Sequence, residues 1–383
     1  MAGPLSRREP EEGDPAPPAP GRGRGRGRSG TKPRPGAETG AGPEMWGGAE
    51  NRVAGNPRSD GEAWSAEKPR FVLVAGHVAW SALRRLAVLA VLLGVVFAAV
   101  ELLPGDAASS TSERGESAAD LAARRTALGL DRPLAERFWD WMTALPTGDL
   151  GTSARGEPVT HLLAGPFPNT LLLGGLALAV SLAGALALGS WAALRPGGRA
   201  DRVIGVVATM AFALPEFVVA IALLLVLSLW LGWLPAVTLI GPDGAPASWS
   251  MLLLPLLALA VPQIGWNTRI VRAALADQAA LPHVSAAIID GLPRHRILTH
   301  HLLPGALPAV AVGVATSAGM LLGGAVVVET LFNYPGVGAV LAGAIADRDT
   351  PVVAGVVAAT SGAISVVLLL ADLVRARTVG ERL

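Results

Sequence analysis

The acidic residue Glu216 stands where an ionisable group could do chemistry, because it lies beside Pro215 about midway along a run of apolar residues. A carboxyl group inside a membrane span is costly and usually faces a cavity or a partner. Glu216 is therefore a candidate for lining a solute pathway and attracting a cation. The alternative is a hydrogen-bonded carboxyl group at a helix interface.

Gln263 and Asn267 are the next candidates, since they follow Pro262 in another apolar run. Interrupted helices that carry polar residues can line substrate paths, so both amides are candidate pathway residues. Hydrogen bonds between helices explain them equally well. For Glu329, near the end of a further apolar run, a structural hydrogen bond is the favoured interpretation.

The sequence offers little for catalysis or for metal binding. It has no cysteine, and the motifs HExxH and GxSxG are absent. The histidines His295, His300 and His301 lie close in sequence, but no acidic residue is placed to complete a ligand shell of defined geometry. Neither Lys32 nor Lys68 follows a glycine, so the phosphate-binding Gly-Lys-Ser/Thr loop is missing. We predict no catalytic, cofactor or metal site and no ATPase within the chain.

The composition indicates the elements that must position these residues. With 51% hydrophobic and 16% charged residues, the chain of 383 residues is far more apolar than a soluble domain. A bilayer core about 30 Å thick needs roughly 20 apolar residues in a helix. Six runs approach that length, and we predict an all-α membrane protein with six transmembrane helices. The predicted spans are residues 86–103, 169–194, 203–234, 249–266, 307–331 and 352–373.

Arginines indicate the orientation, because short cytosolic loops of membrane proteins are enriched in basic residues. They occur between the second and third predicted spans and between the fourth and fifth, at Arg195, Arg199, Arg202, Arg269, Arg272, Arg294 and Arg296. This pattern predicts cytosolic termini and an external loop over residues 105–168. Within that loop, the stretch LGLDRPLAERFWDWM has helical spacing, and Trp139 and Trp141 suit a membrane interface.

Residues 1–68 differ from the transmembrane domain that we assign to residues 69–383. They are rich in Pro, Gly, Arg and Glu and have few large apolar residues, so they cannot bury enough surface to fold alone. We predict a disordered cytosolic tail. Its GRGRGRGR repeat is compatible with RNA or anionic lipid, but no aromatic residue is interleaved, and we expect a solvated tail and no nucleic-acid partner.

A short polar stretch interrupts the apolar sequence at residues 284–308, within a predicted cytosolic loop of residues 273–306. Ser285 to Asp290 can form a short helix there, and Gly291 can end it because glycine accepts the left-handed conformation. Upstream, Pro282 is compatible with a helix start. Pro293 suits the first turn of a second helix. The small residues Ala286 and Ala287 let a partner approach closely. We predict an exposed knob that fits a groove on another protein.

This stretch resembles the cytosolic loop of the permease subunits of binding-protein-dependent ABC importers, in the dipeptide, oligopeptide and nickel branch. The matching positions in the loop are Ala287, Gly291, Leu292, His301 and Pro308. Further family-like segments follow in family order. They are LLPGD at 102–106, LGLDRPL at 128–134, GDLGTS at 148–153, GGAVVVETLFNYPGVG at 323–338 and DRDTPVVAGVV at 347–357.

The resemblance implies half of a translocation pore in the cell membrane, with the loop around Gly291 coupled to a separate ATPase. It implies ATPase coupling through Ala286, Ala287, Gly291, Leu292 and His301, and a peptide, a similar small solute or nickel as cargo. The implied partners are a second permease in a heterodimer, ATP-binding subunits, an extracellular solute-binding protein and the lipid bilayer. An autonomous secondary transporter driven by an ion gradient is the alternative.

The loop departs from the family pattern in its charge. Ser285, Ile288 and Asp290 stand where family members usually have basic residues. This difference indicates either an ATPase partner matched to a less basic surface, which we favour, or weakened coupling.

Overall fold

A computed structural model describes residues 70–111, 117–242 and 244–380 of the chain, and it describes side chains from residue 80 to residue 374 within those ranges. The predicted tail over residues 1–68 and its Arg-Gly repeat lie outside the described residues. The described part is built from helices. They are α1 (Arg70–Glu101), α2 (Ala107–Ser110), α3 (Ala118–Ala127), α4 (Leu134–Ala144), α5 (Val159–Ala164), α6 (Pro166–Ala193), α7 (Arg199–Ala213), α8 (Glu216–Leu223), α9 (Ser250–Ala279), α10 (Pro282–Ile289), α11 (Arg294–Ile297), α12 (Leu303–Leu331), α13 (Val337–Ala346) and α14 (Thr350–Gly380).

Five described segments are long and apolar enough to cross a membrane, as straight helices or helix runs centred on α1, α6, α9, α12 and α14. A sixth span results if α7 and the segment Glu216–Trp230 count as one, although they meet at an angle of 101°. The bend follows from Pro215, which has no backbone N–H to continue the helix. Five of the six predicted spans are therefore found as helices, and the third corresponds to this bent pair.

The fourth span differs most from its predicted bounds. The prediction interrupts it at Pro255 and Pro262 and ends it at residue 266, whereas α9 continues through both prolines to Ala279. Neighbouring helices pack around α9, and such neighbours can satisfy the backbone groups that lose their hydrogen-bond partner at a proline. Arg269 and Arg272 consequently lie on α9 and not in a loop, and the expectation of a discontinuous polar helix is wrong.

Helix α9 is the centre of the fold because α6, α7 and α12 all pack along it. Close approach of α7 depends on Gly265, where an added Cβ would meet the Ala208 carbonyl oxygen and lie 2.9 Å from the Phe212 nitrogen. Gly189 on α6 plays the same part, since a Cβ there would lie 2.8 Å from a methyl carbon of Val271. Small residues at such positions let membrane helices come together.

Replacing Gly265 by alanine tests this packing. We expect Gly265→Ala to destabilise the protein by about 1–3 kcal/mol, the usual cost of overfilling a packed contact, because backbone atoms of α7 cannot yield as a side chain can. Gly205→Ala on α7 is the matched control, since nothing lies within 4 Å of the added methyl group. Thermal unfolding in lipid nanodiscs should give a lower midpoint for Gly265→Ala alone, and equal midpoints for the two variants would contradict this account.

The predicted external loop folds into short helices that pack on α1 and α14. Its main helix, α4, begins at Leu134 and not at Leu128, because Gly129 has a positive φ of 66° and Pro133 takes the N-cap position. Phe138 packs edge-on against Phe97 of α1 with ring centroids 5.5 Å apart. Trp139 is exposed, as an interfacial residue requires, but Trp141 is buried and donates a hydrogen bond to the Leu150 carbonyl at 2.9 Å. The interfacial assignment of Trp141 is therefore wrong.

Candidate functional site

The polar interruption contains the predicted short helix. Helix α10 begins at Pro282 and ends at Ile289, and Gly291 has the positive φ of 75° that the prediction requires. The N–H of Gly291 donates to the Ile288 carbonyl at 3.0 Å, and the N–H of Leu292 donates to the Ala287 carbonyl at 3.2 Å. These two bonds form a Schellman motif, which satisfies the last carbonyls of the helix.

Helix α10 has one face packed on the chain and one face exposed. Val284 and Ala287 are buried, and they belong to a cluster that includes Ile297 and Leu302 of the next helical segment. Leu292 packs against the same cluster. The exposed face consists of Ser285, Ala286, Ile288 and Ile289. Ile289 is 85% exposed and Ile288 is 59% exposed, which is unusual for large apolar side chains on a surface helix and indicates a contact surface.

The histidines near α10 are separated in space. His301 is half-buried, and its ring lies 6.2 Å from the ring of His283 at the start of α10. His295 and His300 are exposed, and the His300 ring nitrogen Nδ1 lies 2.7 Å from the Thr299 hydroxyl oxygen. Within the described residues no group of three or more histidines, aspartates and glutamates is close enough to hold a metal ion.

Glu216 is the first residue of α8, directly after the bend between α7 and α8. Its side chain is half-buried and packs against α12 at Gly324, where an added Cβ would lie 3.3 Å from the carboxyl carbon. Among the described residues no side chain donates a hydrogen bond to this carboxyl group. The interhelical alternative for Glu216 thus has packing contact but no hydrogen-bond partner in the described part of the chain.

Gln263 and Asn267 lie one turn apart on α9, and each is only 2% exposed. Asn267 Oδ1 accepts a hydrogen bond of 3.0 Å from the Ser317 hydroxyl of α12. Gln263 Oε1 and Asn267 Nδ2 are buried and have no partner among the described residues. In this arrangement both amides are enclosed between helices, and their role in a pathway stays a prediction.

Glu329 has the structural role that the sequence predicts. Its carboxylate is fully buried and accepts hydrogen bonds from the Thr170 hydroxyl at 2.6 Å and from the Gly338 N–H at 2.7 Å. These bonds tie α12 to α6 and to the start of α13. Sequence reasoning did not find Thr170, Gly338 or α13 as its partners. For Gly338 the only sequence signal is its position nine residues after Glu329, which places it close to Glu329 along the chain.

Tyr334 completes this cluster beyond the end of α12. Its hydroxyl group donates to the Asn169 carbonyl at 3.0 Å. Burial, and secondarily the nearby Glu329 carboxylate, raise the pKa of Tyr334 to about 12. The phenol therefore stays neutral at physiological pH and serves as a fixed hydrogen-bond donor.

An ion pair near the opposite end of α6 was also missed. Asp201 at the start of α7 accepts from Arg272 Nε at 2.5 Å and from Arg272 Nη2 at 3.1 Å, and the Gly197 N–H donates to the same carboxylate at 3.0 Å. A bidentate contact of this kind fixes both charge and geometry. The available sequence signal was Asp201, an acid among the arginines between the second and third predicted spans. Because the prediction placed Arg272 in a different loop, it did not suggest that these two residues pair.

The described part of the chain is a bundle of membrane-crossing helices with a short exposed helix in one loop, and comparison with known proteins gives its family. Residues 185–379 match the family described as the binding-protein-dependent transport system inner membrane component. The chain belongs to this family.

Two curated relatives are similar over most of their length. The glutathione transport system permease protein GsiC of Pectobacterium atrosepticum is 33% identical over 289 residues, covering 75% of this chain and 92% of the relative. The probable peptide ABC transporter permease protein y4tP of Sinorhizobium fredii is 31% identical over 297 residues, covering 76% of this chain and 95% of that relative. Among solved structures, the MetNI methionine ABC transporter in inward-facing conformations matches with a TM-score of 0.46 at 16% identity, over 57% of this chain and 96% of that chain.

Family membership makes the chain a permease component of an ATP-driven importer. It is a multi-pass protein of the inner membrane that works with ATPase partners and has no ATPase domain of its own. The ion-gradient alternative receives no support from these comparisons. The prediction of an importer permease of the peptide branch is confirmed.

Proposed function

We propose that this permease imports peptides or similar small solutes as one half of a heterodimeric pore. The relatives support the cargo class, since their names refer to glutathione and peptide transport. The exposed apolar side chains on α7 and α8 support a second permease, because Val206, Met210, Phe217 and Ile221 are each between 44% and 64% exposed in the single chain. A solute-binding protein on the external face delivers the cargo. The predicted nickel cargo is a less favoured alternative.

The observation that carries the mechanism is the exposed apolar face of α10. A groove on the ATPase receives Ile288 and Ile289, and Ala286 lets the groove approach the helix backbone. Ala287 and Leu292 contact the body of the permease, so they transmit movement of α10 to the spans. Gly291 permits the tight turn between α10 and α11, and His301 supports α10 through His283. In this account the ATPase closes and α10 moves with it.

The proposed docking of α10 on an ATPase implies an orientation in the membrane. Helix α10 faces the cytosol because the ATPase is there. Arg195, between α6 and α7, and Arg199 and Arg202, in the first turn of α7, lie on the same side. Both termini are cytosolic, and the folded segment over residues 105–168 is external. Labelling of single cysteines introduced at Ile289 and Trp139 by a membrane-impermeant maleimide tests this in intact cells. Labelling of Trp139→Cys alone is expected, and labelling of Ile289→Cys alone would reverse the orientation.

Glu216 is the residue that we propose lines the solute pathway. Its position at the bend of the third span and its lack of a hydrogen-bond partner in the described part of the chain support this role. Gln263 and Asn267 join the pathway when α9 and α12 separate during transport, which would supply partners for their unpaired atoms. Uptake of a cationic peptide should fall in Glu216→Gln, whereas uptake at the original rate and affinity would remove Glu216 from the pathway.

Co-purification tests the proposed assembly. A pull-down of the full-length chain in mild detergent should bring down an ATPase and a second permease. Recovery of the chain without an ATPase, together with uptake that continues without ATP, would contradict the proposed function.

A further inference from the structure

Three of the segments that carry the family resemblance line one half-enclosed cavity of about 200 Å³, together with Ala107, the residue that follows a fourth segment, LLPGD. The three segments are LGLDRPL, GDLGTS and DRDTPVVAGVV. The lining residues include Ala107, Leu130, Thr152 and Arg348. The cavity lies at the end of α12 opposite to α10. The proposed function assigns no role to it.

Three arginines line this cavity, Arg132, Arg137 and Arg348, and Arg348 differs from the other two. No carboxylate or carbonyl group in the described part of the chain accepts a hydrogen bond from its guanidinium group, and its Nε atom is buried without a partner. Gly105 covers one side of the group, since a Cβ there would lie 3.5 Å from both Nε and Cζ of Arg348. Arg348 as a whole is half-buried, and shielding part of a guanidinium group from water is costly unless an anion pairs with it.

The neighbouring acids are engaged elsewhere. Asp347 forms an ion pair of 2.7 Å with Arg155. Asp349 accepts from the Ala154 N–H at 2.7 Å and from the Val352 N–H at 3.3 Å. Burial raises the pKa of Asp349 despite these bonds. Arg348 therefore lies between two aspartates whose carboxyl groups have other partners.

The other cations that line the cavity are already neutralised. Arg132 pairs with Asp140 at 2.7 Å, and Arg137 pairs with Glu101 at 3.1 Å. Arg348 also has a positive φ of 53°, because it is the left-handed residue of a Schellman motif that ends α13. Its N–H donates to the Ile345 carbonyl at 3.2 Å, and the Asp349 N–H donates to the Ala344 carbonyl at 2.8 Å. The backbone thus holds one unpaired guanidinium group against the cavity.

Part of the cavity wall is apolar, between the paired charges and the threonines that also line it. Phe97, Leu130, Trp141 and Pro351 line it beside the guanidinium group. A planar guanidinium group matches a carboxylate with two parallel hydrogen bonds, and an apolar wall next to it accommodates a hydrocarbon side chain. The volume suits a single residue and is small for a longer peptide.

We propose that this cavity binds the carboxylate end of a small ligand, with Arg348 pairing the carboxylate and the apolar wall receiving the adjoining side chain. The C-terminal residue of a peptide has this chemistry, and that choice of ligand rests on the proposed import of peptides. The site is a contact point for cargo on the external side of the membrane.

Calorimetric titration tests the site. The full-length chain is purified in lipid nanodiscs together with the second permease and the ATPase, but without a solute-binding protein. It is then titrated with N-acetyl-L-leucine and, separately, with the uncharged amide of that compound. We expect the acid to bind and the amide to bind at least roughly tenfold more weakly, the size of effect that loss of a charge-assisted bidentate contact gives. Equal affinities for the acid and the amide would overturn the proposal.

Three variants test whether the ligand binds in this cavity. Arg348→Asn keeps a residue that tolerates a positive φ and should lower the affinity for the acid to that of the amide. Leu130→Trp fills the cavity and leaves the guanidinium group in place, and it should have the same effect. Arg195→Asn, an exposed arginine at the other end of α6, is the control and should bind normally. Unchanged affinity in Arg348→Asn and Leu130→Trp, with normal unfolding midpoints, would overturn the site.

ATP-driven peptide uptake by the same preparations, after the solute-binding protein is added, separates this proposal from the proposed function. Uptake without selective binding of the acid overturns the cavity site alone. Selective binding without ATP-driven uptake overturns the proposed function and supports a carboxylate site.

Discussion

Ile289→Asp is expected to abolish most ATP-driven transport while the permease still folds and inserts. Ile289 is 85% exposed, and we infer that its side chain is buried in the ATPase groove in the assembled transporter. Burying such a side chain contributes about 1.5–3 kcal/mol, and a buried unpaired charge adds a further penalty. Since 1.4 kcal/mol corresponds to tenfold, we expect at least a roughly tenfold loss of ATPase binding. Co-purification yield and cargo-stimulated ATP hydrolysis measure it.

Ile345→Asp is the matched control for this prediction. Ile345 is an isoleucine of α13 that is 46% exposed, and it lies at the other end of α12 from α10. The same substitution there should leave ATPase binding unchanged. Equal losses in both variants would indicate a general defect, and no loss in either would exclude α10 as the docking surface.

Glu329→Ala is expected to cause the largest loss of stability. The substitution removes the acceptor for the Thr170 hydroxyl and the Gly338 N–H, both inside a fully buried cluster. Each donor left without a partner costs about 1–3 kcal/mol, so we expect a loss of roughly 2–6 kcal/mol in the free energy of unfolding. Detachment of α13 from α6 should follow. Thermal unfolding in nanodiscs and proteolysis near α13 measure the two effects.

Two further variants serve as comparisons for the stability loss expected in Glu329→Ala. Glu329→Gln keeps the size and one acceptor oxygen, so its unfolding midpoint should fall between those of the wild type and Glu329→Ala. Glu101→Ala removes a partly exposed acid that pairs with Arg137 at 3.1 Å, and such surface pairs contribute about 0–1 kcal/mol. If Glu329→Ala unfolded no earlier than Glu101→Ala, the buried cluster would not hold α13.

The sequence predicts the spans and the short helix α10 well because each depends on local chemistry. Long apolar runs are required by the bilayer thickness, and Gly291 ends α10 through its own backbone conformation. The structural role of Glu329 also follows from the cost of a charge inside an apolar run. Family-like segments then identify the permease class, which composition alone does not distinguish from other membrane proteins.

Features that depend on distant residues could not be predicted in this way. Helix α9 continues past Pro262 because three other helices pack around it, and periodicity carries no information about those contacts. The pair of Asp201 and Arg272 joins residues 71 apart in sequence. The burial of Trp141 depends on where α4 meets α1. The same limit applies to the cavity at Arg348, whose three family-like lining segments are identified separately in the sequence but come together only in the fold.

Uptake of a labelled peptide into proteoliposomes tests the central claim most directly. The full-length permease is reconstituted with its co-purifying partners and a solute-binding protein, with ATP enclosed on the side of α10. The account predicts uptake that requires hydrolysable ATP, stops in Ile289→Asp and continues when ionophores dissipate the proton and sodium gradients. Uptake that proceeds without ATP and collapses with those gradients would contradict it.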